Sequence, residues 1–318
     1  MPSDPLVSVI LATYNRSRVV THAIDSVRRS TLTDWELIVV GDHCTDDTAA
    51  VVAACHDPRI SFVNLPDNAG EQSAPNNEGL RRARGRYIAY LNHDDLYLPD
   101  HLAAAVAWCR ETQADLVWSP LLVALPASSA DLAADQWRMR LSGVPLDDHY
   151  DPRLFVFASA WLLTRELADR VGPWRAARET FVSSSQDWLW RAWRSGARMR
   201  VTPRVTVLAV PASVRKDSYD AGASTKHDYY GARMQTDPRF REVALERAAL
   251  GGERAANRVR FGRAILESLR GVLFRPAAAA AVAVGAHPYA PYFALRHGRR
   301  GNLVSAIRRQ SGLDGLGR

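Results

Sequence analysis

The strongest constraint on the fold is a regular alternation of short apolar runs and amphipathic segments over the first 120 residues. The apolar runs, rich in β-branched residues, occupy residues 6–12, 35–40, 59–65, 86–91 and 114–119. Between the first two runs, apolar side chains recur at i, i+3, i+4 and i+7 from Val20 to Val27, which is one face of a helix. Strands that alternate with helices at this spacing predict an α/β fold with a mostly parallel central sheet flanked by helices.

Polar segments follow the first, second and fourth of these strands. They read TYNR (13–16), GDHCTDDT (41–48) and NHDD (92–95). In a parallel sheet the ligand site lies outside the carboxyl ends of the strands, so these three tips should meet in one crevice. The arrangement predicts a site for a nucleotide or another phosphorylated ligand.

Two adjacent aspartates, Asp94 and Asp95, end an apolar strand, where stability alone gives no reason for like charges. Carboxylates about 4 Å apart repel by roughly 4 kcal/mol at an effective dielectric of 20, so water or a cation should screen them. Strand alternation predicts that Asn92 and Asp94 share one face, and an Asn-x-Asp pair suits a ribose hydroxyl and Mg²⁺ or Mn²⁺. The structural alternative is a solvated turn that caps the helix beginning near Pro99.

Composition supports a globular protein of one large or two ordinary domains. The chain has 318 residues, of which 47% are hydrophobic and 24% charged, so a packed core is expected. Cys44, Cys55 and Cys109 form no CxxC pair, which is typical of free thiols in a reducing compartment. The amino terminus shows no secretion signal, so a cytoplasmic location is expected.

The carboxyl-terminal segment has a different charge balance. Residues 241–318 hold fourteen arginines against five acidic residues. This contrast predicts a main domain over 1–230 and a basic helical extension over 231–318. The uncharged run 276–295 is Ala-rich and contains three prolines, which argues against a membrane span and indicates peripheral contact with the inner face of a membrane. The alternative is an extension that packs on the main domain or on a second subunit of a homodimer. No nucleic-acid recognition motif accompanies the basic residues, so nucleic acid is not expected as a partner.

Five blocks of sequence together resemble family 2 glycosyltransferases. They read VSVILATYNR, VVGDHCTDDT, GEQSAPNNEGL, ARGRYIAYLNHDDLYLPDHL and SQDWLWRAWRSG, in the order and spacing of that family, and they fall within residues 6–200. The resemblance implies the GT-A fold and inverting transfer of a sugar from a nucleotide-diphosphate donor, with UDP favoured, to a hydroxyl acceptor. It also implies dependence on Mn²⁺ or Mg²⁺.

The same resemblance implies roles for single residues. The donor nucleotide would be bound by Thr13, Tyr14, Asn15, Asp42, Asn77 and Asn92. Asp94 matches the metal-ligating aspartate, and Asp95 matches the acid that follows it and supports the site or contacts the sugar. Asp187, at the head of a predicted helix, matches the general base.

Three further residues are assigned to the diphosphate or the acceptor. Trp188, beside the expected base, is the tryptophan expected to contact the acceptor. In the polar stretch 214–230, Arg215 would meet phosphate oxygens, and His227 would contact the diphosphate or its metal ion. The alternative for that stretch is a solvated loop.

The family pattern is not matched at every position. Gly41, Asn92 and Gln186 stand where the family often has acidic residues. The leading interpretation is a metal-dependent glycosyltransferase of cell-envelope polysaccharide or glycosylated-metabolite synthesis, acting on a glycan or small-molecule acceptor. These departures from the family pattern leave one alternative, that the chain is a catalytically silent nucleotide- or glycan-binding protein. A nucleotidyltransferase is the other alternative, although TYNRSR lacks the Gly-rich loop that it would need after the first strand.

Overall fold

A computed structural model describes residues 4–145, 147–210, 225–258 and 274–316 of the chain, without the side chains of 225 and 252–258. Arg215 lies outside the described residues. The strands are β1 (Val7–Thr13), β2 (Trp35–Gly41), β3 (Ile60–Asn64), β4 (Tyr87–Asn92), β5 (Asp95–Tyr97), β6 (Leu116–Trp118), β7 (Leu121–Ala124), β8 (Met139–Ser142), β9 (Trp161–Thr164), β10 (Met199–Val201) and β11 (Val207–Ala209). The helices are α1 (Ser17–Arg28), α2 (Thr48–Ala53), α3 (Ser73–Arg82), α4 (His101–Glu111), α5 (Ser129–Ala133), α6 (Arg165–Val171), α7 (Ser184–Arg194), α8 (Thr225–Thr236), α9 (Phe240–Arg258), α10 (274–283), α11 (Ala290–His297) and α12 (Asn302–Gln310).

The main sheet has the strand order β10-β6-β9-β4-β1-β2-β3. All of its pairs are parallel except those of β9, which runs antiparallel to both β4 and β6. Every residue of β1 and β2 is buried, as expected of strands covered on both faces. The predicted α/β fold with a mostly parallel, helix-flanked sheet is therefore confirmed.

Helix α3 packs directly on the central strand through a glycine. A Cβ placed on Gly79 would lie 2.3 Å from Cγ2 of Ile10, a buried residue in the middle of β1. Only a residue without a side chain allows this approach of helix and sheet. The close contact fixes the position of α3 beside the carboxyl end of β1.

A second, smaller sheet was not expected from the sequence. Its strand order is β5-β11-β7-β8, and it forms a separate core with α8 and α9. Trp137, Tyr230 and Phe240 are the large aromatic residues of that core. Helix α8 continues across residue 230, where the sequence predicts a domain boundary. The division at 230/231 stays a prediction.

The described part of the carboxyl-terminal segment packs on the preceding domain. Tyr289 donates a hydrogen bond to the main chain of Arg153 (3.2 Å), and the main chain of Gly301 donates to Thr180 (3.1 Å). This arrangement is the packed extension that the sequence left as an alternative. Among the described residues, no helix combines the length and the apolar character that a bilayer crossing requires.

Three stacked tryptophans fill the core beside α7. Trp161, Trp174 and Trp188 have ring centroids 5.6–6.2 Å apart with interplanar angles of 22–28°. Trp188 is fully buried, and its indole N–H donates to the main-chain oxygen of Gly172 (3.0 Å). The structure therefore does not support the predicted acceptor contact for Trp188, because no part of its ring reaches a surface. The exposed tryptophan of α7 is Trp193.

Replacing Trp188 by alanine should lower the free energy of unfolding by about 3–5 kcal/mol, because it removes a buried indole and leaves a cavity in this stack. Trp193→Ala on the same helix is the matched control and should cost less than about 1 kcal/mol. Urea denaturation followed by circular dichroism measures both. A small effect at Trp188, comparable with that at Trp193, would contradict the assignment of Trp188 to the core.

Candidate active site

A pocket of about 310 Å³ opens at the carboxyl edge of the main sheet, at the point where strand order reverses between β1 and β4. In open α/β sheets this switch point is where ligands bind. The predicted site residues that line the pocket are Thr13, Tyr14, Asp42, Asn92, Asp94 and Asp95. The structure thus brings the polar tips of β1, β2 and β4 together, as expected from the strand pattern.

The β1 side of the pocket offers a hydroxyl to a ligand. Thr13 is 2% exposed, and its Oγ1 has no hydrogen-bond partner among the described residues. A buried hydroxyl without a partner is costly, so a ligand that bonds to it would remove that cost. The main-chain oxygen of Thr13 accepts from the main chain of Asp42 (2.8 Å), which continues the pairing of β1 and β2 into the pocket.

Asp42 organises the loop that follows β3. Its carboxylate accepts hydrogen bonds from the main-chain N–H groups of Ala69 and Gly70, both at 2.8 Å. Asn68 donates to its main-chain oxygen (2.7 Å). Burial raises the pKa of Asp42, while these N–H groups and the nearby Arg308 act in the opposite direction. The carboxylate therefore holds the 68–70 loop against the pocket.

The chain turns sharply at the two aspartates. Strand β4 ends at Asn92, and β5 begins at Asp95 in the other sheet. Asn92 donates to the carboxylate of Asp95 (3.1 Å), so the expected alternation, with Asn92 and Asp95 on opposite faces, does not hold. Strand alternation applies only while the chain stays extended, and residues 93 and 94 form a turn.

The environment of Asp95 explains how two adjacent carboxyl groups are tolerated. Asp95 is 1% exposed and also accepts a hydrogen bond from the hydroxyl of Ser159. Burial, and then the charge of Asp94, raise the pKa of Asp95 to about 8. Since burial favours the neutral acid, the repulsion between two full charges is avoided at neutral pH.

Asp94 is the carboxylate of this turn that a metal would use. It lines the pocket, and its main-chain oxygen accepts from the main chain of Val210 (3.3 Å). The described residues contain no group of three or more His, Cys, Asp or Glu side chains that could hold a metal ion. Mg²⁺ and Mn²⁺ sites that depend on substrate phosphates need only one or two protein carboxylates, so Asp94 fits an ion that binds together with its substrate.

His227 supports this turn from behind. It is fully buried, its Nε2 lies 3.2 Å from the main-chain oxygen of Asp94, and its ring stacks on that of His22. It does not belong to the pocket lining. The predicted contact of His227 with a diphosphate is therefore not supported, and its place indicates a structural role.

Two asparagines expected in the donor site lie outside the pocket. Asn15 accepts a hydrogen bond from the main chain of Thr45 (2.8 Å) and joins the tips of β1 and β2. Asn77 accepts from the main-chain N–H of Trp174 (2.8 Å) and donates to its oxygen (2.9 Å). Because the amide of Asn77 bonds to the main chain of Trp174 and does not line the pocket, the predicted base or phosphate contact is not supported. Both residues hold loops around the pocket.

The amino terminus of α7 borders the pocket, but Asp187 does not. The N-cap Ser183 and the first helical residue Ser184 line the pocket, whereas Asp187 lies one turn later and lines an adjacent cavity of about 430 Å³. Its Oδ2 is 2.9 Å from Nε of Arg191, and its Oδ1 is 3.5 Å from Nη1 of Arg175. Asp187 was expected to share one pocket with Asp42 and Asp94. The start of its helix reaches that pocket, but Asp187 itself does not line it.

Glu71 is a pocket residue that the sequence reasoning missed. It lines the pocket and accepts hydrogen bonds from Ser184 Oγ (2.9 Å), from the main chain of Ala177 (3.2 Å) and from both the main chain and the hydroxyl of Ser73. It therefore ties the loop before α3 to the start of α7. The block GEQSAPNNEGL contained it, but only its asparagines were assigned.

Helix α12 closes one side of the pocket and was also missed. Its residues and those just after it contribute Val304, Ile307, Arg308, Ser311 and Leu313 to the lining. Arg308 donates to the main-chain oxygens of Gly70 (2.6 Å) and Asp314 (2.7 Å). The basic composition of 241–318 was the only sign of this contact in the sequence.

Comparison with known proteins identifies the family. A sequence model described as Glycosyl transferase family 2 matches residues 8–172. Curated relatives include the putative colanic acid biosynthesis glycosyl transferase WcaA of Escherichia coli K12, 34% identical over 109 residues that cover 34% of this chain and 39% of that protein. Another is the UDP-Glc:alpha-D-GlcNAc-diphosphoundecaprenol beta-1,3-glucosyltransferase WfgD of Escherichia coli, 34% identical over 104 residues, or 33% of this chain and 41% of that protein.

Solved structures show the same fold. The mannosyltransferase PcManGT of Pyrobaculum calidifontis, in complex with GDP-Man and Mn²⁺, superposes with a TM-score of 0.51 at 19% identity and covers 92% of this chain and 87% of that one. The segments matched in the two curated relatives span less than half of each. The family match itself covers more than half of the 318 residues, so the chain belongs to family 2 of the glycosyltransferases.

Proposed function

We propose that this chain transfers a sugar from a nucleotide-diphosphate donor, a UDP-sugar, to a hydroxyl group of a cell-envelope glycan acceptor, with inversion at the anomeric carbon. The observation that carries the proposal is the pocket at the β1/β4 switch point, where Thr13, Asp42 and Asp94 meet. WcaA and WfgD are named for reactions of this kind, which supports the choice of acceptor.

The donor would lie across the pocket with its nucleoside near Thr13 and Asp42. The partnerless hydroxyl of Thr13 and the apolar side chains of α12 offer a hydrogen bond and a dry surface to the base. Its diphosphate would point toward Asp94. A divalent ion held there, Mn²⁺ or Mg²⁺, would act as a Lewis acid that stabilises the charge on the leaving diphosphate.

Asp187 is the proposed general base. Its Oδ2 is held by Arg191, whereas Oδ1 has only a long contact with Arg175, whose side chain is 57% exposed and can move aside. Oδ1 is thus the oxygen that would accept the acceptor proton. The acceptor would occupy the adjacent cavity, and its reacting hydroxyl would reach past the start of α7 to the donor sugar, where the new glycosidic bond forms as the bond to the diphosphate breaks.

Three predictions about the location and assembly of the protein are also proposals. Peripheral membrane contact through 241–318, a homodimer and a cytoplasmic location are expectations from the sequence. Tyr289 and Arg308 bond to the main domain, while Val284, Tyr289 and Leu295 stay exposed and are the apolar side chains that a membrane would contact.

Asp94→Asn should remove the dependence of UDP binding on a divalent ion, because the remaining amide is a poor ligand for a hard cation. Calorimetric titration measures the affinity of the protein for UDP in the presence of Mn²⁺ and in the presence of EDTA. The affinity should be about tenfold higher with Mn²⁺ in the unmodified protein and the same under both conditions in the variant. Asp67→Asn, at an exposed loop position, is the control. An equal metal dependence in Asp94→Asn would reject the assignment.

Arg308→Gln should weaken UDP binding about tenfold, because it removes the cation of α12 that lies beside Asp42 at the pocket. Arg309→Gln removes the same charge from the neighbouring, exposed position and should change the affinity little. The same titration compares both variants. Equal affinities for the two would mean that α12 does not contribute to the donor site.

Asp187→Asn should lower kcat by about 10²–10⁴-fold and leave UDP affinity nearly unchanged, because it removes the proton acceptor but not the donor pocket. Glu179→Gln, a carboxylate of the same cavity, is the control and should keep its activity. Release of UDP in the presence of donor and acceptor measures the rate. Turnover in Asp187→Asn close to that of the control would show that another group takes the proton.

A further inference from the structure

The cavity beside Asp187 carries an unusual surplus of positive charge. It is bounded by α7 on one side and by residues 284–300 of the carboxyl-terminal segment on the other. Its arginines are Arg175, Arg191, Arg194 and Arg300, and its acidic residues are Asp187 and Glu179. The carboxyl-terminal segment therefore completes a cationic cavity next to the proposed base.

Two of these arginines have no carboxylate partner. Arg175 and Arg191 pair with Asp187, whereas no carboxylate of the described residues lies within 4 Å of a guanidinium nitrogen of Arg194 or Arg300. Arg194 donates to the main-chain oxygen of Gly285 (3.1 Å), and Arg300 lies over the ring of Phe181. Both keep donors for a ligand, since a guanidinium has five.

His287 adds a buried donor to the same cavity. It is 4% exposed, and its Nδ1 accepts from the main-chain N–H of Tyr289 (3.1 Å), which places the proton of the neutral ring on Nε2. That Nε2 has no hydrogen-bond partner among the described residues. Buried polar groups are normally paired, so the Nε2 of His287 is a donor that a ligand or an ordered water in the cavity would satisfy after a small movement of the ring.

Arg194 contacts the backbone on the opposite wall of the cavity. Gly285 has φ +81°, and a Cβ there would lie 2.4 Å from Nη1 of Arg194. The carbonyl of Gly285 also accepts from the indole N–H of Trp190 (3.2 Å), which lines the cavity. The carbonyl of Gly285 thus places Arg194 and Trp190 at the same wall of the cavity.

We propose that this cavity binds a phosphate group carried by the acceptor, so that the acceptor is a phosphorylated glycan rather than a neutral one. Two planar guanidinium groups and an imidazole N–H suit the several oxygens of a phosphate, and such charge-assisted bonds are strong and directional. The inference rests on the proposed function, because it assigns the acceptor that Asp187 would activate.

The test uses the whole chain saturated with UDP and Mg²⁺, which fills the donor pocket and keeps the probe out of it. Calorimetry then compares glucose 1-phosphate with methyl α-glucoside, which has the same ring without the phosphate. Glucose 1-phosphate should bind at least about tenfold more tightly to the unmodified protein. The double variant Arg194→Gln/Arg300→Gln should bind the two probes about equally, because the cations that prefer the phosphate are gone. Both side chains are exposed, so their loss should not unfold the chain.

The matched control is Arg81→Gln/Arg82→Gln, which removes two charges from the exposed end of α3 and should keep the preference. Equal binding of the two probes by the unmodified protein would overturn the inference, as would a preference that persists in the cavity variant or is lost in the control. Failure of UDP to bind at the start would overturn the proposed function, and the acceptor assignment with it.

Discussion

The site depends on the parallel pairing of β1 with both β2 and β4. That pairing sets Thr13 opposite Gly41 and Ala12 opposite Asn92, so three polar tips end at the same level of the sheet. The chain ranges 13–16, 41–48 and 92–95 could not otherwise meet, since they are far apart in sequence. The strands' side chains are buried on both faces, so a slip of one residue would place each of them against different neighbours in a close-packed core.

A second constraint is the turn at Asp94 and Asp95, which links the two sheets. Asp95 is buried among Asn92 and Ser159 and anchors the turn, while Asp94 stays at the pocket. His227 and Val210 hold the main chain of Asp94 from the other side. The two adjacent aspartates therefore have different environments, since Asp95 is buried and hydrogen-bonded while Asp94 faces the pocket.

Much of the main sheet could be predicted because its strands are long, apolar and separated by amphipathic helices. The smaller sheet could not, since β5 and β11 have three residues each and are defined by pairing partners more than a hundred residues away. The polar tips located the pocket correctly, but the direction of a single side chain was beyond the sequence. Asn77, Trp188 and Asp187 show this, because each matched a motif while its contacts depended on a neighbouring element.

The carboxyl-terminal helices illustrate the same limit. Their composition indicated a basic surface, yet Arg308 and Ile307 form a wall of the pocket at the carboxyl edge of the main sheet, and His287 and Arg300 form a wall of the cavity beside Asp187. Such contacts join residues about ninety to two hundred and forty positions apart and leave no local pattern. They also make the extension part of the proposed catalytic unit.

The central claim is that a nucleotide-diphosphate donor binds at the β1/β4 switch point. Hydrogen–deuterium exchange with and without UDP and Mn²⁺ tests it most directly. The account predicts slower exchange, on UDP binding, in residues 13–16, 68–72, 92–96 and 304–313, with little change around β7 and β8. Unchanged exchange in all four segments, or protection confined to the smaller sheet, would contradict it.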